Sequence, residues 1–122
     1  MSITKRTIAV VDDDARLLES LENLFESAGY TVRTFASARA LLDAGLGDLD
    51  CLITDIGMPG IDGFQLRAAV GRTHPDLPVF LVTGRHEFET QRPAEVAAAS
   101  GLFRKPLDGQ LLLAAVERSL DA

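Results

Sequence analysis

Acidic side chains, a threonine and a lysine each follow a short apolar segment in this 122-residue sequence. In chain order they are Asp12, Asp13, Asp14, Asp55, Thr83 and Lys105. Carboxylates gathered in one place raise one another's pKa, so positive charge should accompany them, and we expect Mg²⁺ with Lys105 as a second, fixed positive charge. A carboxylate beside a metal can attack phosphorus, and a threonine hydroxyl can donate a hydrogen bond to a phosphoryl oxygen. The residue types therefore predict a site that accepts a phosphoryl group.

Taken singly, each of these residues has an ordinary structural explanation. Asp14 is better placed to cap the following helix than to bind a ligand. A single aspartate after a strand is common turn chemistry, Thr83 fits a strand, and Lys105 fits a solvated surface. The argument for a site depends on all of them standing at the ends of strands.

The elements that would position these side chains alternate between strand and helix patterns. The predicted strands are residues 7–11, 31–35, 51–54, 79–82 and 101–104. The predicted helices are one over residues 17–28 that Gly29 ends, one from the Ser37 cap to Leu42, one over residues 63–72, and one from the Asp108 cap to Leu120. This alternation predicts a flavodoxin-like (βα)5 three-layer sandwich, with a parallel sheet in the order 2-1-3-4-5 and right-handed crossovers. Ligands of such sheets bind at the carboxyl ends of the strands, where the six residues stand.

One segment does not fit a regular fourth helix. Pro93 stands where the middle of that helix would be, in the stretch "GRHEFETQRPAEVAAAS". We expect a loop to about Gln91 and then a short helix with Pro93 in its first turn. The fourth helix is therefore predicted to be shortened or irregular.

Length and composition limit the classes of protein. The length predicts a single domain over residues 1–122. The formal charge of −6 argues against direct nucleic-acid binding. Cys51 is the only cysteine, which excludes an intramolecular disulfide and fits a reducing compartment. With neither a signal-peptide pattern nor an apolar run of about 20 residues, the sequence predicts a cytoplasmic protein that does not contact membranes.

The sequence resembles a receiver domain of the bacterial two-component response regulators. The matching motifs are "VVDDD", "ITDIGMPGIDG", "LVTG" and "FRKP", and the resemblance extends over essentially the whole chain. Among receivers, it is most similar to the FixJ-type subgroup. The resemblance implies a signalling domain rather than an enzyme, with at most self-catalysed phosphorylation and dephosphorylation. It also implies a phosphodonor, a sensor histidine kinase or a phosphotransfer protein, and an unidentified downstream effector.

The resemblance also assigns roles to single residues. It implies that Asp55 accepts the phosphoryl group. It implies that Mg²⁺ is held by Asp12, Asp13, Asp55 and the backbone carbonyl of Gly57. It implies that Thr83 and Lys105 contact the phosphoryl oxygens and report their arrival to the surface.

The sequence departs from the family at its output face, which in receivers combines the fourth helix, the fifth strand and the fifth helix. Leu102 replaces the usual aromatic switch residue. Phe103 should point to the opposite face of its strand and belong to the core, so it is not a substitute. The changes at Pro93 indicate a private partner surface, a mobile surface, or a variant helix without a special role. A homodimer through the fourth-helix to fifth-helix face, common in the family, stays open.

Two other functions are compatible with parts of the sequence. A pseudo-receiver would use the same fold for docking without phosphorylation, but it would normally lack some of the acids or the lysine. A haloacid-dehalogenase-type phosphatase would use Asp12 and Asp14 as its Asp-x-Asp pair, but "ITDIGMPG" would have no role in it. Whether the chain is a single-domain protein or part of a longer regulator also stays open.

Overall fold

The computed structural model describes residues 5–84 and 101–121. Within them the chain forms five strands, which are β1 (Thr7–Val11), β2 (Thr31–Phe35), β3 (Cys51–Asp55), β4 (Val79–Thr83) and β5 (Leu102–Arg104). The helices are α1 (Ala15–Ser27), α2 (Ala38–Ala44), α3 (Gly63–Thr73) and a C-terminal helix (Gly109–Asp121). None of the helices in these two ranges is long and apolar enough to cross a membrane. The irregular fourth helix predicted around Pro93 lies outside the described residues.

The five strands form one parallel sheet in the order β2-β1-β3-β4-β5, which confirms the predicted topology. In the register between β1 and β3, Val11 lies opposite Thr54. The next residues, Asp12 and Asp55, therefore stand level with each other at the carboxyl edge. The sheet order alone thus brings two of the predicted carboxylates together.

Helices cover both faces of the sheet, as a parallel sheet with apolar strands requires. On one face, Ile8 and Val10 of β1 belong to a core with Phe25 of α1 and Val116 of the C-terminal helix. On the other face, the alternating residues Ala9 and Val11 pack with Leu41 of α2 and with Leu66 and Val70 of α3. These two cores confirm the three-layer sandwich.

Side-chain caps fix where the four described helices begin, and the C-terminal helix has the predicted cap Asp108, whose Oδ1 accepts from the Gln110 and Leu111 N–H groups. The predicted cap Asp14 accepts a hydrogen bond from the Arg16 N–H at 3.0 Å, and Ser37 caps α2 as expected. α2 continues to Ala44, two residues beyond the predicted end. Asp62 caps α3 through a capping box with Gln65, which the sequence analysis missed although the D-x-x-Q pattern is its signal.

Candidate functional site

Three carboxylates converge at the carboxyl edge of the sheet. Asp12 and Asp13 follow β1, and Asp55 is the last residue of β3. Each offers one oxygen, and these oxygens lie within 4.8 Å of one another. Asp12 and Asp55 are 2% and 4% exposed, whereas Asp13 is exposed. The cluster thus has two buried members and one that faces solvent.

The Asp12 side chain is held at both of its oxygens. Oδ1 accepts a hydrogen bond of 2.8 Å from the Asp14 N–H. Oδ2 lies 3.1 Å from Nζ of Lys105. The backbone is fixed as well, because the Asp12 N–H donates to the Phe35 carbonyl at 3.1 Å. Asp12 is therefore fixed in one orientation beside Asp55.

Lys105 enters the site from the end of β5, beyond β4. Its N–H donates to the Thr83 carbonyl at 2.7 Å, and its peptide bond to Pro106 is cis. Its Nζ lies 3.1 Å from Asp12 and 3.6 Å from Oδ1 of Asp55. One ammonium group is thus shared between two buried carboxylates.

The pKa of Asp55 is raised above the ordinary value of an aspartate. Burial is the main cause and the charge of Asp12 the second, while Lys105 and a hydrogen bond from the Gly57 N–H act in the opposite direction. The site therefore holds more negative charge than its one lysine offsets. Such a site favours the binding of a further cation.

The pKa of Lys105 is also raised. Burial by itself would lower it, but the hydrogen bond to Asp12 and the charges of Asp55, Asp12 and Asp14 outweigh burial. Lys105 is therefore a permanent positive charge of the site.

Thr83 and Gly57 lie at the same edge. Thr83 ends β4 and is 2% exposed. Gly57 is buried two residues after Asp55, and its N–H donates to the Asp55 carboxylate. All six residues that the sequence singled out for the site thus lie at one edge of the sheet. Five of them and Gly57 are candidates for its chemistry, whereas Asp14 is used as the helix cap.

Leu102, at the usual switch position, and its neighbour Phe103 pack on opposite faces of the sheet. Leu102 lies against the small core of Ile56, Phe64 and Leu81. Phe103 packs in the other core, with its ring centroid 6.1 Å from that of Phe80. The predicted orientation of Phe103 is therefore confirmed, and no aromatic ring stands at the position of Leu102.

A separate surface cleft of about 390 Å³ lies at the opposite, amino end of β3 and β4. Residues lining it include Leu49, Asp50, His74 and Pro78. Because open α/β sheets bind ligands at the carboxyl ends of their strands, the acidic cluster is the candidate site and this cleft is not.

The fold and the site together define a doubly wound α/β protein with a cluster of carboxylates and one lysine at its topological switch point. The sequence model of the response regulator receiver domain matches residues 8–117. The chain belongs to this family, which confirms the resemblance seen in its motifs.

Relatives and solved structures agree with this assignment. The chain is 37% identical over 114 residues to the transcriptional regulatory protein FixJ of Azorhizobium caulinodans, covering 93% of the chain and 54% of that protein. It is 34% identical to FixJ of Bradyrhizobium diazoefficiens, covering 96% of the chain and 58% of that protein. The structure of the BeF3-activated DrrB receiver domain superposes with a TM-score of 0.84 at 27% identity, covering 98% of the chain and all of that domain. The chain spans a little over half the length of these two curated relatives.

Proposed function

We propose that Asp55 is the phosphoacceptor of this receiver domain. The observation that carries the proposal is a buried carboxylate with an ammonium group 3.6 Å away and two further carboxylates beside it. An oxygen of Asp55 would form a bond to phosphorus while the bond from phosphorus to the leaving group breaks. With a phosphohistidine as donor, the leaving group is the imidazole nitrogen, and the product is an aspartyl phosphate.

Mg²⁺ is the proposed cofactor of this transfer. The donor set fits it, since three carboxylate oxygens lie within 4.8 Å of one another and the exposed Asp13 leaves room for water ligands. Asp12, Asp13 and Asp55, with the backbone carbonyl of Gly57, would hold the ion. When bound, the ion supplies positive charge for the phosphoryl oxygens. The raised pKa of Asp55 supports this assignment, because its causes are burial and the charge of the neighbouring Asp12.

Lys105 and Thr83 are proposed to contact the phosphoryl oxygens. Lys105 already places its Nζ between Asp12 and Asp55, so a phosphoryl group on Asp55 would meet a positive charge in place. Thr83 ends the strand next to β3 and carries a hydroxyl. Electrostatic stabilisation by such fixed groups is usually the largest contribution to transfer reactions of this kind.

The geometry favours this function over the two alternatives. A phosphatase of the Asp-x-Asp type would need Asp14 as a second catalytic acid, but Asp14 is exposed and caps α1. A docking module that works without phosphorylation would not need its acids and lysine. Here all of them are present, and Lys105 is ion-paired with both Asp12 and Asp55. We therefore assign a signalling rather than an enzymatic function.

The partners are proposed from the chemistry and the relatives. The donor would be a sensor histidine kinase or a phosphotransfer protein, and phosphorylation would switch contacts with a downstream effector. Curated relatives include transcriptional regulators about twice as long as this chain, so the effector could be a further domain or a separate protein. Dimerisation through the fourth-helix to fifth-helix face stays a prediction, because part of that face lies outside the described residues.

The direct test is intact-mass spectrometry after incubation with acetyl phosphate. We expect one added phosphoryl group that requires Mg²⁺ and is lost in Asp55→Asn. Asp48→Asn is a matched control, since Asp48 is an exposed aspartate paired with Arg33 on the surface. A phosphoryl group that persists in Asp55→Asn would falsify the assignment of the acceptor.

A further inference from the structure

The amino end of α3 is packed directly onto the backbone of the proposed acceptor. A Cβ atom at Gly63 would lie 2.6 Å from the Asp55 carbonyl oxygen and 2.8 Å from the Cα of Ile56. Real Cβ atoms essentially never come closer than 3.0 Å to such neighbours. The atoms that it would meet belong to the backbone, so no side-chain rotation can relieve the overlap. Only a residue without a Cβ fits this position as the chain is folded.

Hydrogen bonds join the segment that follows Asp55 to α3 at the same point. The Ile56 carbonyl accepts from the Gly63 N–H at 3.0 Å, and the Ile56 N–H donates to the Val82 carbonyl at 2.9 Å. Ile56 is thus bonded to β4 on one side and to the first residue of α3 on the other. Between them, the Gly57 N–H donates to the Asp55 carboxylate. A displacement of the helix start would therefore be transmitted to the carboxylate.

The helix start cannot easily move away to make room. The Gln65 N–H donates to Oδ1 of Asp62 at 2.8 Å, and the Asp62 N–H donates to Oε1 of Gln65 at 2.9 Å. One turn further on, Leu66 is fully buried in the core beneath the helix. The capping box ties these residues to each other, so the helix start would have to move as a unit, and that movement would strain the packing of Leu66.

We infer that Gly63 is a positioning residue for the phosphoacceptor. Because Gly63 has no Cβ, the start of α3 packs directly against the peptide bond between Asp55 and Ile56. This contact holds the Asp55 carboxylate in position beside Asp12 and Lys105. The expected effect on the phosphorylation rate rests on the proposed function, whereas the contact between Gly63 and the Asp55 backbone does not. Misplacement of a reacting group by about 1 Å can cost roughly 100-fold in rate, which is the scale of displacement that a Cβ at Gly63 would force.

The test compares Gly63→Ala with Gly71→Ala. Gly71 lies in the same helix, is exposed, and would place a Cβ with nothing within 4 Å. We expect Gly63→Ala to lower the rate of phosphorylation by acetyl phosphate at saturating Mg²⁺ by about tenfold or more. We also expect the amide resonance of Gly57 to shift in the metal-free protein. Gly71→Ala should change neither quantity.

A folded Gly63→Ala variant with the wild-type rate and an unshifted Gly57 amide overturns the inference. If Gly63→Ala does not fold, Asp62→Ala loosens the same helix start without adding bulk, and Ser37→Ala, which removes the cap of α2, is its control. Phosphorylation should then slow in Asp62→Ala alone, and equal rates in the two variants overturn the inference. If the wild-type protein accepts no phosphoryl group, the proposed function fails, and the Gly57 amide alone decides the role of Gly63.

Discussion

Lys105 and Asp12 form an ion pair between the end of the edge strand β5 and the end of the interior strand β1, with Nζ 3.1 Å from Oδ2. Asp12 is 2% exposed, so this pair is shielded from solvent on the side of the carboxylate. The lysine is therefore held in the site before any phosphoryl group arrives. On phosphorylation of Asp55 its ammonium would have to be shared with, or transferred to, the new phosphoryl oxygens. This exchange offers a physical link between the acceptor and β5.

Replacing Lys105 by alanine should impair phosphorylation more than folding. The substitution removes the charge that lowers the pKa of Asp55 and the cation available to the phosphoryl oxygens. We expect the phosphorylation rate with acetyl phosphate to fall about tenfold or more. The free energy of unfolding should fall by about 1–3 kcal/mol, because a buried carboxylate loses its partner.

Lys5→Ala is the matched control for Lys105→Ala, since Lys5 is an exposed lysine before β1. Its phosphorylation rate should equal that of the wild-type protein. Circular dichroism establishes whether each variant is folded. Global unfolding of Lys105→Ala would mean that the lysine is mainly structural.

Asp13 and Asp14 are adjacent, yet the structure separates their roles. Asp13 offers an oxygen to the acidic cluster, whereas the Asp14 side chain caps α1. Asp13→Ala should therefore weaken Mg²⁺ binding by about tenfold or more, with little change in stability. Asp14→Ala should cost about 1 kcal/mol of stability through the lost cap. Mg²⁺ affinity should stay within about twofold of that of the wild-type protein. A small loss is expected because the substitution removes one negative charge that attracts the ion over a distance.

Calorimetric titration with Mg²⁺ and urea unfolding measure these two quantities in each variant. Equal losses of Mg²⁺ affinity in Asp13→Ala and Asp14→Ala would contradict the division of roles. A loss of stability in Asp13→Ala as large as that in Asp14→Ala would also contradict it.

The raised pKa of Asp55 makes the metal-free protein less stable as pH rises. The folded state holds the Asp55 proton more tightly than the unfolded state, so the folded state binds more protons between the two pKa values. Stability is then lost as pH rises through the folded pKa and is regained below the unfolded value of about 4. Asp55→Asn removes the ionisable group, so it should be more stable than the wild-type protein near neutral pH. This advantage should vanish in acid.

Urea unfolding at a series of pH values, without divalent cations, measures this difference. Asp48→Asn, at an exposed position, should show no comparable gain. If Asp55→Asn is less stable than the wild-type protein near neutral pH, the carboxylate is stabilised by its surroundings and the direction of the pKa shift is wrong.

Much of the fold follows from the sequence, because β1, β3 and β4 are apolar segments that each end at or directly before a polar residue. The end of β1 at Asp12 and of β3 at Asp55 could be read directly, and a parallel sheet places such ends at one edge. Helix starts at Asp14 and Ser37 were likewise predictable from cap chemistry. The segment around Pro93 is where local patterns conflicted, and it lies outside the described residues.

The geometry of the site could be predicted only in part. The sequence indicates that Lys105 belongs to the site, but the sharing of its ammonium between Asp12 and Asp55 depends on how β5 packs beside β4. Gly63 could be noticed as a glycine at a helix start. The reason for it, a contact of 2.6 Å to the Asp55 carbonyl, comes from packing between elements that local patterns do not encode.

Phe103 and Leu102 offer a last test of how β5 is used. Phe103 packs against Phe80 in the core on one face, and Leu102 packs on the other face with Ile56, the residue after the acceptor. Phe103→Leu should cost about 1 kcal/mol, mainly from the lost aromatic pair, and leave the phosphorylation rate within about twofold. Leu102→Ala should cost a similar amount of stability, because it removes partly buried methyl groups, and should also alter the phosphorylation rate. Urea unfolding and the acetyl phosphate assay, run on both variants, separate the two effects. If Phe103→Leu changes the rate as much as Leu102→Ala does, the coupling to the acceptor is not specific to Leu102.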